Sequence, residues 1–99
     1  MPPETEKTID IDNSGNAVAL ELAGHAFVSV HIRADATAEY KWDVRKRGGP
    51  WIEDAGTTYS GSADHDDDVE TAAHEVRIRC SSGTGGNGDQ STITLMTGG

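Results

Sequence analysis

Ala38-Glu39-Tyr40-Lys41-Trp42-Asp43-Val44-Arg45 decides the fold class. Large apolar side chains at 40, 42 and 44 alternate with charged ones at 39, 41, 43 and 45. A period of two puts the first set on one face of a strand and the second on the other. Arg47-Gly48-Gly49-Pro50 then breaks the run as a turn. The same alternation returns at His74-Glu75-Val76-Arg77-Ile78-Arg79-Cys80, with Val76, Ile78 and Cys80 on one face.

The pattern extends upstream. Val28, Val30 and Ile32 share a face, opposed by Phe27, Ser29, His31 and Arg33. Before them, Val18, Leu20 and Leu22 alternate with Ala17, Ala19 and Glu21. Ile9 and Ile11 alternate with Asp10 and Asp12, and Asn13 to Asn16 reads as a tight turn. Downstream of Trp51-Ile52, Thr57 to Ser60 reads as a short edge strand. Residues 61–68 read as a polar loop, Ser81 to Asp89 as a Gly-rich loop, and Thr92 to Leu95 as a last strand. No segment sustains a 3.6-residue period; Asp68 to Glu75 offers at most one helical turn. Seven or eight strands with turns between them predict an all-β chain, an antiparallel β-sandwich of jelly-roll or immunoglobulin-like type. Residues 1–7 read as a flexible N-terminal tail, and 8–99 as a single sandwich domain.

Composition bounds the function. The chain has 99 residues and 34% apolar residues, with two Trp, two Tyr and one Phe. One thin core fits that length, and association with neighbours is expected to supplement it. Asp and Glu number 17 against 8 Lys and Arg, for a net charge of −9. With only Lys7, Lys41 and Lys46 as lysines, an acid-rich, Lys-poor surface suits high salt, which screens self-repulsion. It argues against nucleic acid, because no basic patch is present to neutralise phosphates. The first residues lack a secretory pattern and no apolar run reaches membrane-spanning length, so synthesis and assembly in the cytoplasm are expected. Cys80 is the one cysteine, which excludes an internal disulfide and reads as a buried thiol.

Several residues are candidates for chemistry. Asp64, Asp66 and Asp68 are candidate ligands for a divalent cation, since alternating Asp side chains of a loop can converge on a hard ion. The calcium-hand pattern needs Gly at the sixth position and Glu at the twelfth; Val69 and Glu75 stand there, so the motif is absent. A solvated acidic loop is the ordinary expectation, and no cofactor is otherwise implied. The histidines His25, His31, His65 and His74 show no zinc spacing; His31 and His74, on two strands, are candidate cross-strand neighbours. Trp42 reads as core. Trp51 and Tyr59 are candidates for stacking on a ligand or packing at an interface. Arg77 and Arg79, with Arg45, face outward beside Glu39, Asp43 and Glu75, as cross-strand ion pairs or as a docking face. No nucleophile elbow or phosphate loop is present, so the chain reads as non-enzymatic.

Residues 38–61, with Trp51 and Thr58-Tyr59-Ser60-Gly61, together with residues 73–82, a Gly-rich turn and Ser91-Thr92-Ile93-Thr94-Leu95, resemble small β-sandwich proteins of tailed viruses. Those are capsid decoration, vertex or tail-associated subunits. With the acidic composition, the chain resembles a virion protein of a haloarchaeal tailed virus. The resemblance implies a structural subunit, most simply a capsid decoration or surface protein. Its partners would be the major capsid protein or other virion proteins and further copies of itself, with no nucleic acid and no membrane. The alternative is a carbohydrate- or receptor-binding sandwich module.

Overall fold

Alternation becomes eight strands: β1 (Glu4–Asp10), β2 (Ala17–Glu21), β3 (Phe27–Ala34), β4 (Ala38–Arg45), β5 (Tyr59–Gly61), β6 (His65–Glu70), β7 (Glu75–Gly83) and β8 (Gln90–Thr97). The computed structural model describes residues 4–10, 16–34, 38–61, 64–83 and 90–97. They form two four-stranded antiparallel sheets, in the orders β1-β8-β3-β6 (sheet A) and β2-β7-β4-β5 (sheet B). The pairs nest: β4 with β5, β3 with β6, β2 with β7, β1 with β8. This is one long hairpin rolled into two layers, and it selects the jelly roll over the immunoglobulin-like alternative.

The inward residues of both sheets make the core. Val18, Leu20, Leu22, Tyr40, Trp42, Val76, Ile78 and Cys80 come from sheet B or its ends, and Val28, Val30, Ile32, Ile93 and Leu95 from sheet A. Each buried side chain of this size contributes about 1.5–3 kcal/mol. Cys80 is buried, as expected.

Several expectations are corrected. Glu4 to Lys7 are not tail but the first half of β1, in register with Met96 to Ile93 of β8. Their polar sequence hid this, because an edge strand carries little apolar cargo and charges protect it. Residues 65–68 are not loop but β6, in which His65, Asp67 and Val69 face inward and Asp66, Asp68 and Glu70 outward. The period of two was invisible because two of the inward residues are polar. The helical candidate at 68–75 is the end of β6, a short connection and the start of β7. Finally, His31 lies in sheet A while His74 precedes β7 in sheet B, so they are not cross-strand neighbours. Ser81 to Gly83, expected to open the Gly-rich loop, instead end β7, paired with Ala38 and Glu39 of β4; the rest of that loop, 84–89, and the turn at 13–16 apart from Asn16 lie outside the described residues.

Candidate functional site

Three polar assemblies distinguish the faces of this sandwich. The first covers the outside of sheet B. Asp43, outward on β4, is opposite Arg77 on β7, with Arg79 the next outward residue. Arg77 Nε donates to Asp43 Oδ2 at 2.6 Å and Arg79 Nε to the same oxygen at 2.9 Å. After the turn at Lys46–Gly49, the chain returns alongside β4. Ile52 and Val44 exchange backbone hydrogen bonds of 2.8 and 3.0 Å. That places Trp51 and Glu53 on the outer face, where Glu53 Oε2 lies 3.3 Å from Arg79 Nε. Asp54, at φ +58°, turns its N–H onto Asp43 Oδ1 at 3.1 Å. Asp43 is thereby fully buried, although it points away from the core.

Burial by itself would raise the Asp43 carboxyl. Hydrogen bonds from Arg79, Arg77 and the Asp54 N–H, with the charge of Arg79, outweigh it and hold the group below the usual carboxylate range. Asp43 in turn raises the Arg79 guanidinium. Beside this cluster Arg45 bonds Glu75 Oε1 through Nε at 2.6 Å and Nη2 at 2.5 Å. The guanidiniums of Arg45 and Arg77 sit 4.5 and 4.4 Å from the Trp51 ring centroid. Each such contact contributes about 0.5–1 kcal/mol at a partly exposed site.

The second assembly joins the sheets. Trp42 Nε1–H donates to the Tyr59 hydroxyl at 2.8 Å, and that hydroxyl donates to Asp67 Oδ2 at 2.7 Å. Trp42 and Tyr59 belong to sheet B and Asp67 to sheet A, so the chain of bonds spans the gap between β5 and β6. Desolvation and the Asp67 bond push the Tyr59 hydroxyl up to about 12. Nearby, the Tyr40 hydroxyl bonds Ser91 Oγ, again sheet to sheet. The His65 ring lies 5.5 Å from that of Tyr59, and among the described residues its Nε2 has no hydrogen-bond partner.

The third is the open outer face of sheet A. Glu6 and Thr8 of β1, Gln90, Thr92 and Thr94 of β8, His31 and Arg33 of β3 and Asp64 line a polar groove of about 390 Å³. Thr94 Oγ1 donates to Glu6 Oε2 at 2.9 Å and the Thr8 and Thr92 hydroxyls are 3.0 Å apart. Arg33 and Asp64 approach to 3.9 Å while both stay exposed. Further along, Ser29 Oγ donates to Asp68 Oδ1 at 2.5 Å.

The residues singled out by sequence are distributed over all three. Arg77 and Arg79 form the expected cross-strand pairs. Trp51 is half-buried and engaged by two guanidiniums. Tyr59 is buried, with its hydroxyl committed inside the sandwich, so no stacking surface is left. Asp64, Asp66 and Asp68 follow the outer side of one extended segment. Alternate residues of a strand stand about 6.5–7 Å apart, and among the described residues no three His, Cys, Asp or Glu side chains gather as a metal site. Sequence reasoning missed Asp67 and Glu53. The Trp51-Ile52-Glu53 alternation next to a Gly-Gly turn was the available signal for Glu53; nothing local marked Asp67.

The chain matches no family model and no curated protein. Among solved structures it is similar in fold to the SPBc2 prophage-derived protein YomS, with a TM-score of 0.68 and 14% identity over 99% of this chain and 96% of that one. Chitosan-binding module 1 of a chitosanase/glucanase from Paenibacillus sp. IK-5 aligns with a TM-score of 0.55 and 16% identity, over 95% of this chain and 76% of the module. The family 32 carbohydrate-binding module of C. perfringens NanJ, solved with galactose, aligns with a TM-score of 0.53 and 10% identity, over 93% of each chain. At these identities the likeness establishes the β-sandwich fold.

Proposed function

We propose that the chain is a non-enzymatic structural subunit of a virus particle, a decoration or surface protein seated on a coat lattice and assembled in the host cytoplasm. One observation carries the reading. A complete eight-strand jelly roll, the architecture of many capsid and lectin domains, fills the chain and coincides end to end with a prophage-derived protein. The rest of the molecule agrees. The outside of sheet B is closed upon itself by Asp43, Arg77, Arg79 and Glu53, which suits a rigid building block. Many copies of a modest contact would then supply avidity through geometry. Net charge −9 suits a host that works in concentrated salt, where repulsion between copies is screened over about 3 Å at 1 M. The test is an antibody against this chain applied to gradient-purified particles induced from the source strain. Co-purification at fixed stoichiometry with the coat protein is expected; absence from particles overturns the reading.

The groove on sheet A favours a second reading, a carbohydrate-binding module. Its hydroxyls, carboxamide, imidazole and carboxylates are the groups that bond a sugar's hydroxyls. Calorimetry with neutral and amino sugars tests it. Binding lost in both Glu6→Ala and Arg33→Ala, and kept in Trp51→Ala, would establish the groove; no binding to any sugar removes this reading.

A further inference from the structure

The described surface carries three exposed large apolar side chains, Phe27, Ile52 and Met96. All belong to one end of the sandwich, where β3 begins, β8 ends and the segment after β4 turns back. Phe27 is 56% and Ile52 61% exposed.

Beside Ile52 the sandwich does not close. Val44, Ile52, Thr71, Ala72 and Ala73, with Arg45 and Lys46, line a mostly apolar slot of about 240 Å³. Through Val44 and Thr71 it meets a second opening of about 210 Å³, which reaches Trp42 and Val76 of the core. An apolar cavity of about 150 Å³ takes up a benzene molecule, so the slot has room for one aromatic side chain. Phe27 follows Ala26, whose C=O accepts the Thr71 N–H at 2.8 Å, so it adjoins the segment that borders the slot.

Charge repeats the complementarity. Glu70 is the register partner of Phe27, so the apolar knob has an acidic neighbour. Lys46 lines the slot itself, and Arg47 follows it in the chain. None of these three charges has an ion-pair partner among the described residues. Elsewhere on the molecule the exposed arginine Arg33 and the outer arginines of sheet B are already paired.

We propose that this end is a contact between two copies of the chain. Phe27 of each copy seats in the Ile52–Ala73 slot of the other, and Glu70 faces the partner's Lys46 and Arg47. A knob and a slot on the same end make the contact self-complementary, so a two-fold axis generates it twice. The proposal rests on the subunit reading only in expecting copies to meet. A dimer from a chain absent from particles would satisfy this test while failing the other.

Sedimentation velocity in molar salt tests it. The wild type is expected to dimerise, and Phe27→Asp and Ile52→Asp to be monomers with unchanged circular dichroism. Both residues are exposed, so neither change empties the core. At moderate salt Glu70→Lys should weaken association about tenfold or more, since it faces like charges, and adding Lys46→Glu with Arg47→Glu should restore it. A dimer that persists in Phe27→Asp and Ile52→Asp, or no rescue by the charge exchange, overturns the proposal. So does a wild type that stays monomeric at millimolar concentration, which would leave the slot to a side chain of a different protein.

Discussion

Replacing Asp43 by Asn should destabilise this domain more than any other single charge removal on its surface. The carboxylate is fully buried, yet it receives Arg77 at 2.6 Å, Arg79 at 2.9 Å and the Asp54 N–H at 3.1 Å. A hydrogen bond to a charged group contributes about 1.5–3 kcal/mol. Asn keeps the shape and one acceptor oxygen, so the Asp54 bond survives. Glu53, 3.3 Å from Arg79 and 3.8 Å from Arg77, takes over part of the compensation. The net loss is about 2–4 kcal/mol. For a domain of this size that is on the order of 10–25 °C in melting temperature. Urea denaturation of both proteins at neutral pH, in low and in molar salt, measures it. Because Asp43 is shielded from solvent, the loss should persist in molar salt. A loss under about 0.5 kcal/mol, or one that salt abolishes, would show that the pair behaves as an exposed ion pair and refute the reasoning. Acid gives the sign. The folded carboxyl lies below its unfolded value, so its stabilisation is complete above about pH 4 and drains away as pH falls through the folded value. The gap between wild type and Asp43→Asn should therefore close on acidification.

Three further outcomes are expected. Tyr59→Phe leaves Trp42 Nε1 and Asp67 without their shared partner and should cost about 1–3 kcal/mol in denaturant melts. Folded Tyr59 keeps its proton up to about 12, whereas the unfolded phenol loses it near 10, so wild-type stability should fall between those values. That alkaline limb should flatten in the variant. Gly56→Ala would put a methyl 3.1 Å from Trp42 Cδ1, against a ring locked in the core; a loss of about 1–3 kcal/mol and a changed near-ultraviolet dichroism of Trp42 are expected. Trp51→Ala removes two cation–π contacts from a half-buried ring, so a loss of about 1–2 kcal/mol with unchanged far-ultraviolet dichroism is expected.

Residue order alone settles which side chains go inside. Wherever large apolar residues alternate with polar ones, as at 40–44, 76–80 and 28–32, the two-residue period of a strand leaves one solution. The burial of Cys80 and the outward arginines beside Asp43 and Glu75 followed from the same parity. Parity says nothing about partners, however. The pairing of β1 with β8 across the whole chain emerges only on folding, because strand order depends on contacts between distant residues. Folding also decided that β6 is a strand, since the inward positions His65 and Asp67 become legible only when Tyr59 is brought against them. The same holds for Asp43. Its charge marked it as an outward residue, and the return of residues 51–54 over the sheet buried it. Phe27 was already outward by parity, whereas the exposure of Ile52 depends on the return of its segment alongside Val44.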